Sequence, residues 1–304
     1  MGDGETRAVL LTGAGGGVGR AATQALADRG FRVYAAVRGP VRGPVRGPGL
    51  GLASGPLRSS SGGLPQHPNI RPLQLDVTDP ESVASAVAYV LGDGCTALHG
   101  IVNNAGIIVQ GPLELVTPED LHHQFDVNVF GPVAVTQAFL PLLRSGNGRL
   151  INITAATARV AGPFFGPISA SKAALQSLSD AQRLELAHWG LPVVVIEPGL
   201  LDTPIFDKAS AAVAKATAAL TPSRTALYEA QVRAVTASLA KSKASPPSIV
   251  ADAIVKALTA RKPKPRYTVG PDTRLLGLLA RLPLRTRDRL LAGVMGLNKV
   301  PAAQ

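Results

Sequence analysis

The string Thr12-Gly13-Ala14-Gly15-Gly16-Gly17-Val18-Gly19 joins a short apolar run, Ala8 to Leu11, to an amphipathic stretch, Val18 to Arg29. Glycine at that density suits a strand that turns directly into a helix. Gly13 then permits the tight turn, Gly17 lets the backbone approach an anionic group closely, and Gly19 lets the helix pack against the strand. The unpaired amides at the helix N-terminus face that anion. Another apolar run, Val33 to Val37, follows, so the chain opens as strand, helix, strand.

The alternation continues. Strands are predicted over Pro72 to Leu75, Leu98 to Asn103, Leu150 to Thr154 and Val193 to Ile196, and helices over Pro80 to Leu91, Pro118 to Leu143 and Ser169 to His188. Strands that are apolar without alternation are buried on both faces, and strands separated by single helices pair in parallel. The expected fold is therefore α/β, a doubly wound parallel sheet in one domain spanning residues 1–304. Three segments stand apart from this pattern. Residues 39–68 repeat Val-Arg-Gly-Pro at Val41 and Val45 and continue in Ser, Gly and Pro, which reads as a low-complexity loop, either a solvated expansion or an Arg-rich lid. Residues 200–246 are rich in Ala and Ser with weak helical periodicity and read as a substrate-covering lid, and residues 272–304 as a C-terminal helical extension. In that extension Leu275, Leu278, Leu279 and Leu282 share a helical face near Arg274 and Arg281, which suits the core, a partner subunit or, as weak peripheral association, a membrane surface.

Composition excludes several classes. The lone Cys95 rules out an internal disulfide and any multi-cysteine metal site, and no metal is expected. No run reaches the roughly 18 apolar residues of a membrane span, and Met1 to Thr6 lacks the basic start of a signal peptide. A cytoplasmic protein without integral membrane contact is the expectation. The net charge of +11 is local, lying in Arg38, Arg42, Arg46 and Arg58 and again between Lys256 and Arg289, and aromatic residues make up only 4%. Nucleic-acid binding is not expected.

The glycine turn has company: Asp76-Val77 after the third strand, Asn103-Asn104-Ala105-Gly106 after the fourth, Asn128-Val129-Phe130-Gly131 in a helix, Ser169-Ala170-Ser171-Lys172, and Pro198-Gly199. In this order and spacing, from about Ala8 to Thr203, the motifs resemble the short-chain dehydrogenase/reductase family, whose fold is the Rossmann fold. Val33 to Arg38 and the His99 to Asn128 region resemble its 17β-hydroxysteroid and retinol dehydrogenases. The resemblance implies that Thr12, Gly13, Gly15, Gly16, Gly17, Val18 and Gly19 hold a dinucleotide and that Asp76 and Val77 meet the adenine. It further implies that Asn103, Ala105 and Gly106 line the cofactor cleft, that Pro198, Gly199 and Thr203 meet the nicotinamide end, and that Lys172 grips the ribose. Arg38 stands where an NAD enzyme carries an acid, and a guanidinium pairs with a 2′-phosphate, so NADP is expected over NAD. Relatives usually pair through the helices of Pro118 to Leu143 and Ser169 to His188, implying a homodimer or homotetramer.

The resemblance breaks at catalysis. The family places a tyrosine four residues before the lysine, where the ammonium lowers the phenol pKa; that position is Ile168. The family's serine, thirteen residues earlier, falls on Ala155. An aliphatic side chain neither donates nor accepts a proton. Asn128 and Lys172 remain as the catalytic candidates. The leading expectation is an NADP-dependent oxidoreductase acting on a carbonyl, imine or activated alkene of an apolar small molecule without the tyrosine relay, in a pocket shaped by Phe164, Phe165 and the lid. A non-redox cyclase, isomerase or dehydratase, or a catalytically inactive accessory protein, stays open.

Overall fold

In the computed structural model, residues 7–40, 63–218 and 222–301 are described. The Val-Arg-Gly-Pro repeat, with Arg42, Arg46 and Arg58, lies outside the described residues. Seven parallel strands form one sheet: β1 (Ala8–Leu11), β2 (Arg32–Val37), β3 (Ile70–Gln74), β4 (Gly100–Asn103), β5 (Arg149–Ile153), β6 (Val193–Pro198) and β7 (Arg266–Val269). Their spatial order is β3-β2-β1-β4-β5-β6-β7, which reverses direction at β1 and β4. The strand register aligns Leu11 with Ala35 on one side and with Val102 on the other. The loops that follow β1 and β4 therefore open at the same sheet edge, which is where ligands of such sheets sit.

The helices cover both faces. α1 (Gly17–Ala27) and α9 (Ser248–Thr259) pack on one, burying Leu26, Val250 and Ile254 against Val9, Leu11, Val102 and Ile196. On the other face, α2 (Pro80–Gly92), α4 (Gly131–Ser145) and α5 (Gly166–Leu186) bury Val90, Phe139 and Leu186 against Leu10, Tyr34, Ile101 and Leu150. Adjacent strand residues thus feed opposite layers, as the period of two requires. α3 (Pro118–Phe125) runs into α4 through a π turn, Asp126–Phe130. The Pro118–Ser145 run is long and apolar enough to cross a membrane by length and composition, but here it is a core helix, its apolar window 56% buried.

After β6 come α6 (Ile205–Ala218), α7 (Pro222–Ala226) and α8 (Glu229–Leu239), more regular than the weak periodicity of the sequence suggests. The chain then returns through α9 and β7 and ends in α10 (Asp272–Leu279) and α11 (Leu284–Val294). The four leucines that share a helical face in the sequence divide in the fold. Leu279 packs with Val160 and Leu291, whereas Leu275, Leu278 and Leu282 are exposed. The short α10 lies with only one side against the body of the protein.

Candidate active site

The glycine turn is held from below. Thr12 Oγ1 accepts the amides of Asn104 and Ala105, each at 3.0 Å, and the Asn104 side chain donates to Thr12 O at 2.9 Å and Gly13 O at 3.1 Å. Gly13 adopts φ +67°, and a Cβ there would lie 2.7 Å from Ala105 Cα, so the turns after β1 and β4 are in direct contact. At Gly19 a Cβ would come within 2.1 Å of Gly13 O, and at Gly17 within 2.8 Å of Thr203 Cγ2, so the Thr203 loop after β6 overhangs the turn. α1 is preceded by Gly16 at its N-cap, with no side-chain cap and no acid in its first turn, leaving its amides without a local side-chain acceptor. Gly15 lies in the same turn, and Val18 packs on the α1 side of the core. This bare, side-chain-free cradle fits a pyrophosphate.

Two expected cleft residues are corrected. Thr12 and Asn103 are buried at 1% and 2% exposure. Asn103 Nδ2 donates to Asn152 Oδ1 at 2.8 Å and Thr136 Oγ1 at 3.0 Å, and Asn152 Nδ2 to Ser179 Oγ at 2.8 Å. Val102 belongs to the α1 layer, so strand alternation turns Asn103 into the α4 layer. Both side chains build the floor beneath the cleft and do not line it.

The remaining expected residues ring the sheet edge. Arg38 is exposed just beyond β2. Asp76 Oδ1 accepts from the Thr78 amide at 3.0 Å and hydroxyl at 2.7 Å, which fixes the turn after β3. Val77 is buried, and a Cβ on Gly131 would meet its Cγ2 at 2.7 Å. Pro198 ends β6, and the Gly199 amide donates to Val269 O at 2.9 Å.

Asn128 sits in the π turn, a geometry common at functional positions. Its Oδ1 accepts the Ile107 amide at 2.9 Å, and its Nδ2 donates to Ile107 O at 3.0 Å and Ser171 Oγ at 3.3 Å. Gln124 reinforces the same loop, accepting the Val109 amide at 2.6 Å and donating to Ile107 O at 2.9 Å. Lys172 Nζ donates to Ile153 O at 2.8 Å, and a Cβ on Gly106 would lie 3.5 Å from Nζ and 3.3 Å from Asn128 Oδ1. The ammonium thus has one backbone acceptor, and Gly106 leaves its approach open. Burial alone pushes the Lys172 pKa down to about 8, because the charged form is desolvated.

Ile168, 7% exposed, lies on α5 one turn before Lys172. Ala155 is half-buried, just after β5. Neither neighbouring hydroxyl substitutes for the missing ones. Thr154 Oγ1 is buried and donates to Ile196 O at 3.3 Å. Ser169 is offset from Ile168 by about 100° around α5 and aligns within about 20° with Gln176 and Asp180, whose partners include Glu197 of β6 and Arg266 of β7. Its Oγ, three residues before Lys172 and buried, makes no hydrogen bond to the ammonium or to any other group among the described residues.

Several residues shape this site without having stood out in the sequence. Asp272, on α10, accepts the Leu200 amide at 2.8 Å and would sit 1.9 Å from a Cβ on Gly199, locking the Pro198-Gly199 turn. Glu197, its side chain 1% exposed, pairs with Arg159 and, at 2.9 Å, with Arg266. That triad ties the loop after Ala155 to β6 and β7. Across the mouth, Tyr228, just before α8, donates to Glu114 Oε2 at 2.6 Å and packs edge-on against Phe164, ring centroids 6.5 Å apart.

The sheet order and the glycine cradle define a Rossmann-type protein. The family described as short chain dehydrogenase matches residues 59–214. Human retinol dehydrogenase 5 is 34% identical over 300 residues, 94% of this chain and 88% of that protein. The 3-amino-tetrahydro-pyrrolizinone reductase of Xenorhabdus hominickii is 38% identical over 203 residues, 66% of this chain and 64% of that protein's length. A crystal structure of a short-chain dehydrogenase from Burkholderia cenocepacia J2315 in complex with NADP superposes with a TM-score of 0.68 at 26% identity, over 94% of this chain and 98% of that one. The chain belongs to the short-chain dehydrogenase/reductase family, and is an oxidoreductase of the kind that uses a nicotinamide cofactor.

Proposed function

We propose that the protein is an NADP-dependent reductase of a carbonyl, imine or activated alkene on an apolar small molecule, working without a tyrosine and drawing its proton from Lys172. The observation that carries this reading is the pairing of Ile168 with a buried Lys172 whose pKa lies near 8. A bound reduced nicotinamide supplies a hydride to the substrate carbon. The Gly13 to Gly19 cradle and the α1 N-terminus hold the pyrophosphate, Arg38 the 2′-phosphate, Asp76 and Val77 the adenine end, and Thr203 the nicotinamide end.

Lys172 then takes two roles. Its aliphatic stem and ammonium orient the ribose, and an N–H bond of the ammonium breaks as an O–H or N–H bond forms on the substrate heteroatom. Water returns the proton afterwards. A donor with a pKa near 8 is well matched to neutral pH. The alkoxide that develops from a carbonyl oxygen would receive no hydrogen bond from residue 155, which is Ala, so substrates whose heteroatom is already basic or whose charge is delocalised are favoured. Asn128 and Gln124 position the 107–109 loop at the cleft. Phe164 and the α6–α8 lid, latched by Tyr228 to Glu114, shape an apolar pocket. Exposed Phe130, Leu178 and Leu184 on and beside α4 and α5 support assembly as a homodimer or homotetramer.

A catalytically inactive accessory protein is the competing reading, favoured by the same Ile168 and Ala155. Incubation with NADPH deuterated at nicotinamide C4 and a panel of apolar ketones, imines and enones separates the two. Stereospecific deuterium in a product is expected. Bound NADPH with no deuterated product across the panel refutes the reductase.

A further inference from the structure

Six of the fourteen large apolar side chains exposed among the described residues lie between Leu275 and Val294: Leu275, Leu278, Leu282, Leu284, Leu290 and Val294. Their arrangement repeats. In each helix, a step of one residue from an exposed leucine turns about 100° around the axis. From Leu275, one direction leads to Leu276, packed on the Val160 cluster, and the other to exposed Arg274. From Leu290, the same steps lead to buried Leu291 and exposed Arg289. Both helices therefore present, in the same rotational order, an anchored side, an exposed apolar stripe and a basic edge. Arg281 continues the edge of α10 and Arg285 that of α11, and both are exposed.

We propose that this C-terminal pair is a docking surface for an anionic lipid bilayer. Apolar stripes beside arginines match such an interface, where leucines enter the acyl boundary and guanidinium groups reach the headgroup phosphates. Between Asp272 and Val300 there are six cations and only two acids, and one of those, Asp272, is engaged with the Leu200 amide. A second copy of the chain is a poor occupant, since a twofold contact would set this patch against itself and bring eight arginines, Arg274, Arg281, Arg285 and Arg289 of each copy, into one interface. The turn after α11 packs against α8, a Cβ on Gly296 lying 3.3 Å from Ser238 Oγ. Docking would thus bring the lid close to the lipid, the reservoir of an apolar substrate. The inference does not depend on which proton donor the site uses.

The test is sedimentation of the full chain with phosphatidylcholine vesicles, with and without 30% phosphatidylserine. Binding to the anionic vesicles is expected, weakened by salt. L275S/L278S and R281E/R285E are each expected to weaken it by at least about tenfold, given an electrostatic gain of roughly fivefold per arginine. NADPH binding, which involves neither pair, is expected to be unchanged in both. Failure to sediment with anionic vesicles, equal binding to neutral ones, or variants that bind as well as the parent overturns the proposal. A leucine variant that only splits an oligomer, the parent showing no vesicle binding, assigns the surface to a second copy instead.

Discussion

Restoring the missing hydroxyls by I168Y/A155S would give the site the family's usual donor. Residue 168 is one helical turn from Lys172, so a phenol there falls within reach of the ammonium, which stabilises its ionised form. General acid catalysis contributes about 10²- to 10⁴-fold. The double variant is therefore expected to reduce simple apolar ketones at least about 100-fold faster than the parent at saturating NADPH. Ile168 is 7% exposed, so a larger ring must displace the side chains around it. Overpacking of this kind costs about 1–3 kcal/mol, which thermal unfolding would register without abolishing the fold. The assay is NADPH oxidation at 340 nm over a ketone panel, with NADPH binding measured by fluorescence quenching. A folded double variant that binds NADPH as the parent does, yet reduces every ketone no faster, would refute the placement of residue 168 at the proton-donor position.

Further outcomes follow from single side chains. Lys172 is buried, with its pKa lowered from 10.5 to about 8 by desolvation. The unfolded chain then holds a proton that the folded chain releases between those values, so stability rises with pH from about 8 to 10.5, by about 1.4 kcal/mol per unit. In K172M that rise should disappear; parallel stability curves for parent and variant in urea titrations would contradict it. R38E should reverse cofactor preference, costing NADPH at least about tenfold in affinity while sparing NADH; equal weakening of both dinucleotides would remove Arg38 from the 2′-phosphate. E197A leaves Arg159 without its carboxylate and Arg266 with only the Asp180 carboxylate at 3.5 Å, the two arginines being 26% and 29% exposed. The loss should be near the lower end of the buried-pair range, about 3 kcal/mol, and a change under 0.5 kcal/mol in urea unfolding would show the triad to be idle.

Much of the sheet was legible because burial on both faces leaves a local trace. β1, β2, β4, β5 and β6 lie within two residues of the apolar runs that announce them. The glycine turn was legible for a similar reason, since Gly13, Gly17 and Gly19 each answer a clash that the chain itself creates. β7 was not, because Arg266-Tyr267-Thr268-Val269 sits at the sheet edge, short and mixed in character, behind prolines that mask it. α9 lies mostly between the segment read as a lid, 200–246, and the basic stretch that begins at Lys256, and its apolar run was not singled out. Asp272 acts on a turn 72 residues away, and nothing local to either end signals that bond. Glu197 looked like one charge in an apolar strand, and only the fold brings Arg159 and Arg266 to it. Asn103 could have been placed correctly: Val102 beside it faces α1, so alternation sends Asn103 to the opposite layer. In that case the motif's resemblance outweighed the strand's own geometry.

The pH dependence of kcat at saturating NADPH, followed from pH 6 to 10 on a substrate the enzyme reduces, bears most directly on whether Lys172 supplies the proton. A buried ammonium with a pKa of about 8 predicts a rate that is flat at neutral pH and falls tenfold per unit above a single ionisation near that value. A rate that holds level to pH 10 would contradict it, leaving water or the substrate itself as the source.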